Sequence, residues 1–340
     1  MSILNTKMDL YRAAIAEEMQ RVFQSNGASP DGFYGMMHYH MGWVDDQFRP
    51  KLSYTGKMIR PILTLLCCEA AGGDWQQALP AAAAIQIIHD FSLVHDDIED
   101  GSPLRRGRPT VWKLWGEPQA INTGDAMFST AQLAMINLDQ RGVEATKVVQ
   151  AARRLNETCL ALTRGQWMDM SFETREDVTV DEYMTMIEGK TSVLIALACE
   201  LGAIVAGADS DTVSHYAQFG LKLGLAFQVI DDILGIWGNE EEIGKSSESD
   251  IMTKKKTLPV LYGLAQNAAL RAHYALDSAE TDFVLTTITL LDAVSARGYA
   301  EAEASQHSET SLGHLAAANP TGDAAATLHH LADTLLKRQS

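Results

Sequence analysis

The chain is short of several things, and each shortage closes off a class of protein. Only 9 of its 340 residues are proline. No β-branched run alternates over the length of a strand either, so a barrel or sandwich is excluded and long helices are unobstructed. Cysteine is scarce: Cys67, Cys68, Cys159 and Cys199 lack metal-ligand spacing and lie in apolar helical patterns, as reduced core thiols of a cytoplasmic protein do. Basic residues are outnumbered, 27 Lys and Arg against 44 Asp and Glu, for a net charge of −17. So acidic a chain is no general partner for nucleic acid or an anionic membrane surface. No window holds ~18 uninterrupted apolar residues, so no transmembrane helix is expected. The opening "MSILNTKMDLYRAAIAEEMQ" has no apolar run followed by a cleavage site and is not read as a secretory signal.

What is abundant is helix. Apolar residues recur at three- and four-residue spacing in "PILTLLCCEAA", "ALPAAAAIQIIHDFSLVHDDIED", "AMFSTAQLAMINL", "SVLIALACELGAIVAG" and "YAQFGLKLGLAFQVIDDILGI". Gly72–Gly73, "DGSP" at 100–103, Gly116–Pro118, Gly207 and the polar stretch 238–250 stand where helices should end. No linker composition divides the chain. The expectation is one all-α domain over 1–340, built of antiparallel helices, with 238–257 as its most mobile loop. The tail "HLAAANPTGDAAATLHHLADTLLKRQS" reads as a final amphipathic helix after a turn.

The chemistry lies in the charges. In "FSLVHDDIEDGSPLRRGRPT", Asp96, Asp97, Glu99 and Asp100 are followed at once by Arg105, Arg106 and Arg108. "QVIDDILG" echoes it, with Asp231 and Asp232 late in another apolar helix. A helix C-terminus disfavours acids, and two carboxylates ~4 Å apart repel by roughly 4 kcal/mol at an effective dielectric near 20. A cation relieves that cost. Oxygen-only ligands without His or Cys suit a hard ion such as Mg²⁺, with phosphate oxygens completing its shell. The basic clusters, "RRGR", Lys57 and Arg60 of "GKMIRP", Lys190 of "EGKTS" and Lys254–Lys256, then serve as phosphate ligands. A metal-bridged diphosphate beside an apolar channel is a place to ionise a C–O bond and exclude water.

From "YHMGW" at 39–43 to "KKKTLP" at 254–259, the motifs "GKMIRP", "DDIED" with "RRG", "GQWMD", "GKTS" and "FQVIDDILG" stand in the order and approximate spacing of the trans-isoprenyl diphosphate synthases (polyprenyl synthetases). The chain resembles that family. The resemblance implies an all-α isoprenoid synthase fold around a central apolar cavity, and a homodimer. It implies three Mg²⁺ ions, two on Asp96 and Asp100 with Asp97 in support, and a third on Asp231 beside Asp232. Arg105, Lys190 and Lys255 would hold the allylic diphosphate (C5, C10 or C15). Lys57, Arg60, His89 and Arg106 would hold isopentenyl diphosphate, and Gln166, Thr191 and Gln228 would line the reacting region. One departure is Gly235, where the second motif usually carries a third acid.

Within that resemblance, Phe91 and Ser92 set product length. Ser92 precedes Asp96 by one helical turn, about 6 Å down the axis, and is small; Phe91 lies about 7.5 Å down and obstructs. This pattern is similar to that of geranylgeranyl (C20) synthases, with farnesyl (C15) next. Three other readings compete. A terpene cyclase is disfavoured by Gly235 and Asn239 in place of its hydroxyl and Glu ligands. A non-catalytic partner subunit is kept open by Gly235. A helical HD-type phosphohydrolase is raised by His89 and His95 but would need His38, His40 or His215 as further ligands. His95 is expected to be a satisfied helix residue, Asp45–Asp46 a loop, and Trp112, Trp115 and Trp237 packing aromatics.

Overall fold

The structure, a computed structural model, describes residues 3–23, 32–53, 56–238, 249–278 and 282–336. Of the expected mobile loop, 239–248 lies outside the described residues. In chain order, α1 is Ile3–Val22, α2 Gly32–His40, α3 Ile59–Ala70 and α4 Leu79–Glu99. An antiparallel pair, β1 Leu104–Arg105 and β2 Arg108–Pro109, precedes α5 Val111–Trp115 and α6 Glu117–Ile136. Then come α7 Ala145–Glu173, α8 Val180–Ile187, a π-helical turn Glu188–Ser192, α9 Val193–Ala206 and α10 Ser210–Trp237. The last six are α11 Ser249–Met252, α12 Leu258–Gln266, α13 Ala268–Tyr274, α14 Phe283–Asp292, α15 Ala296–Ala317 and α16 Gly322–Leu336.

The expected all-α class holds, and the helix ends fall at the glycines that mark them. α3 and α9 give way to Gly72 (φ 86°) and Gly207 (φ 78°), each in the left-handed conformation that closes a helix without a β-carbon clash. The tail forms α16 after a turn, as its pattern predicts. Two details differ. α10 continues past Asp231 and Asp232 to Trp237, so that acid pair lies inside the helix rather than at its end. "RRGRP" is a hairpin, not a plain loop: Arg106 (φ 51°) and Gly107 (φ 74°) are its two turn residues, the positive-φ pair that matches strand twist.

The chain divides into two compact units. The first comprises Met1–Asn156, Ala198–Asp209 and Pro320–Ala325. Its centre is α3 against α4, where Ile62, Leu63, Leu65 and Leu66 are buried with Ala81–Ala84, Ile85, Ile87 and Ile88; α1 and α6 also pack on α4. All four cysteines are buried and free; burial pushes the Cys68 thiol up to about 12 and the Cys159 thiol to about 11. They are core residues, as their surroundings in the sequence predict.

The second unit comprises Glu157–Leu197, Ser210–Asn319 and Ala326–Ser340. α10 lies along α15, and Tyr183, Met186 and Ile187 of α8 join Leu225, Val229, Ile230 and Ile233 of α10 in its core. A second cluster gathers Ile236, Ile251, Val260, Leu270 and Phe283. The stretch Val180–Ala206 is long and apolar enough to cross a membrane by length and composition, but 67% of its apolar window is buried within the protein, the state of a core helix.

Close backbone approach positions the π-turn. A β-carbon on Gly165 of α7 would meet Gly189 C at 2.6 Å and Lys190 Cα at 2.9 Å. These are backbone atoms that cannot swing aside. Gly165→Ala therefore separates α7 from the turn that carries Lys190, and should cost about 1–3 kcal/mol as a drop in melting temperature and denaturant midpoint. An unchanged midpoint would contradict the close approach.

Candidate active site

In the first unit, the acids of α4 sit in three different environments. Asp96 is half-buried, Asp97 is buried and Asp100 is exposed as the C-cap of the helix, its N–H bonding Asp96 O at 2.8 Å. Asp97 accepts Arg105 Nε at 2.8 Å while its Oδ2 is buried with no hydrogen-bond partner. Burial raises the Asp97 pKa, and Arg105 opposes it. The hairpin thus folds back so that β1 delivers an arginine to the helix that precedes it. Its backbone is anchored by Arg108, which donates to Tyr39 O at 2.9 Å and lies over the Tyr39 ring.

The other bases gather near that hairpin. Gly56 (φ 90°) leaves room for the Arg106 guanidinium, whose Nη2 would lie 3.1 Å from a β-carbon there, so the loop carrying Lys57 meets the hairpin turn. Arg60 is half-buried, with Nη1 3.5 Å from His89 Nε2; desolvation brings its pKa down to about 10. His89 is held well below the usual imidazole range by burial, then by Arg60, Arg106 and Arg105. A recess lined by Tyr39, His40, Asp97, Arg105, Arg106 and Arg108 opens here. Tyr39 and Asp90 belong to these surroundings without having been picked out by the motifs, as do Arg108, read only as part of the phosphate cluster "RRGR", and His40, read only as a candidate HD-type ligand. Tyr39 and His40 do lie inside the quoted "YHMGW", and Arg108 inside "RRGR", but nothing in a sequence ties α2 to the hairpin.

In the second unit the π-turn and α10 share a hydrogen-bonded chain. Thr191 Oγ1 donates to Gln228 Oε1 at 3.1 Å, and Gln228 Nε2 donates to Asp232 Oδ1 at 3.2 Å. Asp232 also accepts the Tyr183 hydroxyl and, at 3.2 Å, Leu258 N–H. Burial raises its pKa to about 6 against Lys255 and these donors. Asp232 therefore ties α8, α10 and α12 together, whereas its neighbour Asp231 is exposed on α10. Lys190 Nζ donates to Asp169 Oδ2 at 2.5 Å. Lys255 is exposed on the surface, and Asp250, Asp232, Asp169 and Asp231 together raise its pKa against partial desolvation. Asp169 and Asp250 were not singled out from the sequence, although Asp169 closes "GQWMD". Gln166 precedes Asp169 by one turn on α7.

Around Gly235 the geometry is specific. A β-carbon there would overlap Asp250 Oδ2 and lie 3.0 Å from Asp250 Cγ. The room a third motif acid would need is filled by a carboxylate from α11.

Phe91 is buried, its ring meeting those of His95 and Phe128 edge-on at 5.5 Å each. Ser92 Oγ donates to His89 O at 2.8 Å. His95 Nε2 lies 3.4 Å from Ile121 O and 3.8 Å from Asp125 Oδ1, the partnered helix residue expected. His38 packs on Phe23 and Trp43, and His215 pairs with His314 at 3.1 Å between Nδ1 atoms. They do not form the ligand set of an HD-type phosphohydrolase, and among the described residues no three His, Cys, Asp or Glu side chains are already gathered for a metal. Asp45 is a loop acid, accepting the N–H groups of Gln47 and Arg49 at 2.9 Å each. Trp112, Trp115 and Trp237 are half-buried packing residues.

The carboxylates nonetheless fit a hard cation. The donors are all oxygen, Asp97 Oδ2 is a buried acceptor without a partner, and Asp96, Asp100 and Asp231 keep access to solvent.

Comparison with known proteins agrees. The model of the family described as polyprenyl synthetase matches residues 42–290. A Mycobacterium tuberculosis protein named (2E,6E)-farnesyl diphosphate synthase is 39% identical over 313 residues, covering 90% of this chain and 86% of its own. A second from that organism, named geranylgeranyl diphosphate synthase, is 40% identical over 268 residues, 78% of this chain and 75% of its own. The crystal structure of a polyprenyl synthetase from Streptomyces coelicolor superposes with a TM-score of 0.88 at 32% identity, over 98% of this chain and 99% of that one. The chain belongs to the polyprenyl synthetase family, and it is a prenyltransferase.

Proposed function

We propose that the protein condenses isopentenyl diphosphate head to tail with C5, C10 and C15 allylic diphosphates, giving geranylgeranyl diphosphate as its end product. The observation that carries the reading is that each unit gathers acids and bases: Arg105 on Asp97 beside solvent-accessible Asp96 and Asp100 in the first, and Lys190 on Asp169 with Lys255 in the field of Asp250, Asp232, Asp169 and Asp231 in the second. Asp96, Asp100 and Asp231 would hold Mg²⁺, three ions in all. When bound, the metal supplies positive charge to the departing diphosphate.

The chain's own residues do the rest. Arg105, Lys190 and Lys255 bind the allylic diphosphate, and Lys57, Arg60, His89 and Arg106 bind isopentenyl diphosphate. Asp97 orients Arg105 and Asp232 orients Gln228, which with Thr191 and Gln166 lines the reacting region. The C–O bond of the allylic substrate breaks, the isopentenyl double bond attacks the cation, and the released diphosphate accepts the proton lost from the adduct. Asp250 keeps an acid beside residue 235, so the Gly235 departure is compatible with activity. Phe91, held by His95 and Phe128, is the floor that stops growth at C20. A C15 end product is the second reading, favoured by the farnesyl synthase relative.

The protein acts in the cytoplasm and as a homodimer. Supporting the dimer, Leu133 and Ile136 of α6 are 62% and 50% exposed, and Leu160 and Trp167 of α7 are 73% and 66% exposed. Exposed apolar side chains such as these are candidates for the subunit interface.

The test is incubation of the purified protein with Mg²⁺, isopentenyl diphosphate and each allylic diphosphate, followed by mass analysis of the dephosphorylated products. A linear C20 alcohol is expected. Cyclic hydrocarbon formed without isopentenyl diphosphate would overturn the reading in favour of a cyclase, and a folded protein without turnover would favour a partner subunit. Phe91→Ala should move the main product beyond C20 at unchanged stoichiometry of starter; an unchanged length removes Phe91 as the floor. Asp96→Asn should lower kcat by roughly 10²–10³ through lost stabilisation of the leaving group. Gly235→Asp restores the usual acid but must displace the Asp250 carboxylate and sets two like charges together, so it should lower activity. A gain in activity would contradict the assignment of that space to Asp250.

A further inference from the structure

One acid in the basic surroundings of the first unit has no part in the chemistry above. Asp90, on α4, has a side chain only 6% exposed. It accepts Gln86 Nε2 at 3.0 Å, and its Oδ1 lies 4.0 Å from His40 Nε2, itself a buried nitrogen without a hydrogen-bond partner. The charged groups acting on it come from two elements: Arg60 on α3, and Arg105 and Arg106 from the hairpin. His40 on α2 and His89 on α4 complete the set, and Arg108 acts on His40.

We infer that Asp90 is the resident counter-ion of this basic recess, and that a diphosphate bound there takes over the role, so that substrate binding is coupled to protonation of Asp90. The inference rests on the reading of Lys57, Arg60, His89 and Arg106 as the isopentenyl diphosphate site. A buried carboxylate stays ionised only where cations compensate it. Without ligand the arginines do so incompletely: burial outweighs them and lifts the Asp90 pKa to about 6. A bound diphosphate engages the same guanidinium groups and adds like charge nearby, and both effects favour the neutral acid.

The proton balance is simple. Asp90 carboxylate gains one proton from solvent and becomes a carboxylic acid. The nearest acceptor for the new O–H is His40 Nε2, 4.0 Å away, an imidazole that burial and Arg105, Arg106 and Arg108 hold neutral, its pKa down to about 3; a hydrogen bond between them requires the two side chains to close that gap. The sign of the pH effect follows. Above the ligand-free value near 6 and below the higher value of the complex, affinity for isopentenyl diphosphate falls as pH rises, by up to about tenfold per unit for one proton.

The test is calorimetric titration of the full-length protein with isopentenyl diphosphate, at about pH 7.5, in buffers of different ionisation enthalpy. The ligand is then almost fully ionised, its last phosphate pKa being near 6, so proton uptake reports the protein. The comparison is Asp90→Asn, which keeps the acceptor for Gln86. The wild type should take up close to one proton more per ligand than the variant. The variant should bind at least about tenfold more tightly, with affinity flat from pH 6.5 to 8. Equal proton counts, or weaker binding by the variant, would overturn the inference while leaving the site in place. Absence of any isopentenyl diphosphate binding would overturn the site and the inference together. Should the variant fail to fold, wild-type proton release instead of uptake is the overturning result.

Discussion

Charge inside an apolar helical protein is the constraint on which the rest depends. Helices of Ala, Leu and Ile give no shelter to carboxylates or guanidinium groups, and an unpaired buried charge costs far more than any one apolar contact returns. Each charged group carried inward here must therefore come with a counter-charge or a set of hydrogen bonds. Asp97 has Arg105, Lys190 has Asp169, and Asp232 has Tyr183, Gln228 and Leu258 N–H.

The same requirement shapes the backbone. For Arg105 to reach Asp97 the chain must reverse within a few residues of α4, which it does through the left-handed pair Arg106–Gly107. For Lys190 to stand beside α7 the helix must widen into a π-turn, and α7 must present Gly165 to it. Asp250 occupies the room beside Gly235 and adds to the negative surroundings that raise the Lys255 pKa. These are local irregularities in an otherwise regular helical protein, and they coincide with the residues that bind charge.

The architecture was legible because it rests on local signals. Helix periodicity, glycine at helix ends and acids placed late in apolar helices are read from neighbours in the chain, and the motifs resembling the polyprenyl synthetases supplied the roles. What was not legible depends on tertiary placement. No spacing rule brings His40 of α2 to Asp90 of α4, or Asp250 of α11 to Gly235 of α10. The hairpin has only two-residue strands, too short to show alternation. Asp231 and Asp232 look equivalent in sequence, and only burial separates the exposed carboxylate from the one that holds three helices.

The central claim is that acids hold metal and that metal and bases together hold diphosphate. It is tested most directly by binding of an unreactive thio-analogue of an allylic diphosphate, measured by calorimetry with and without Mg²⁺, in the wild type, Asp96→Asn and Asp231→Asn. Binding that needs Mg²⁺ and weakens by at least about tenfold in each variant, or roughly 1.4 kcal/mol, is the predicted result. Binding of equal strength without Mg²⁺ and in both variants would contradict it.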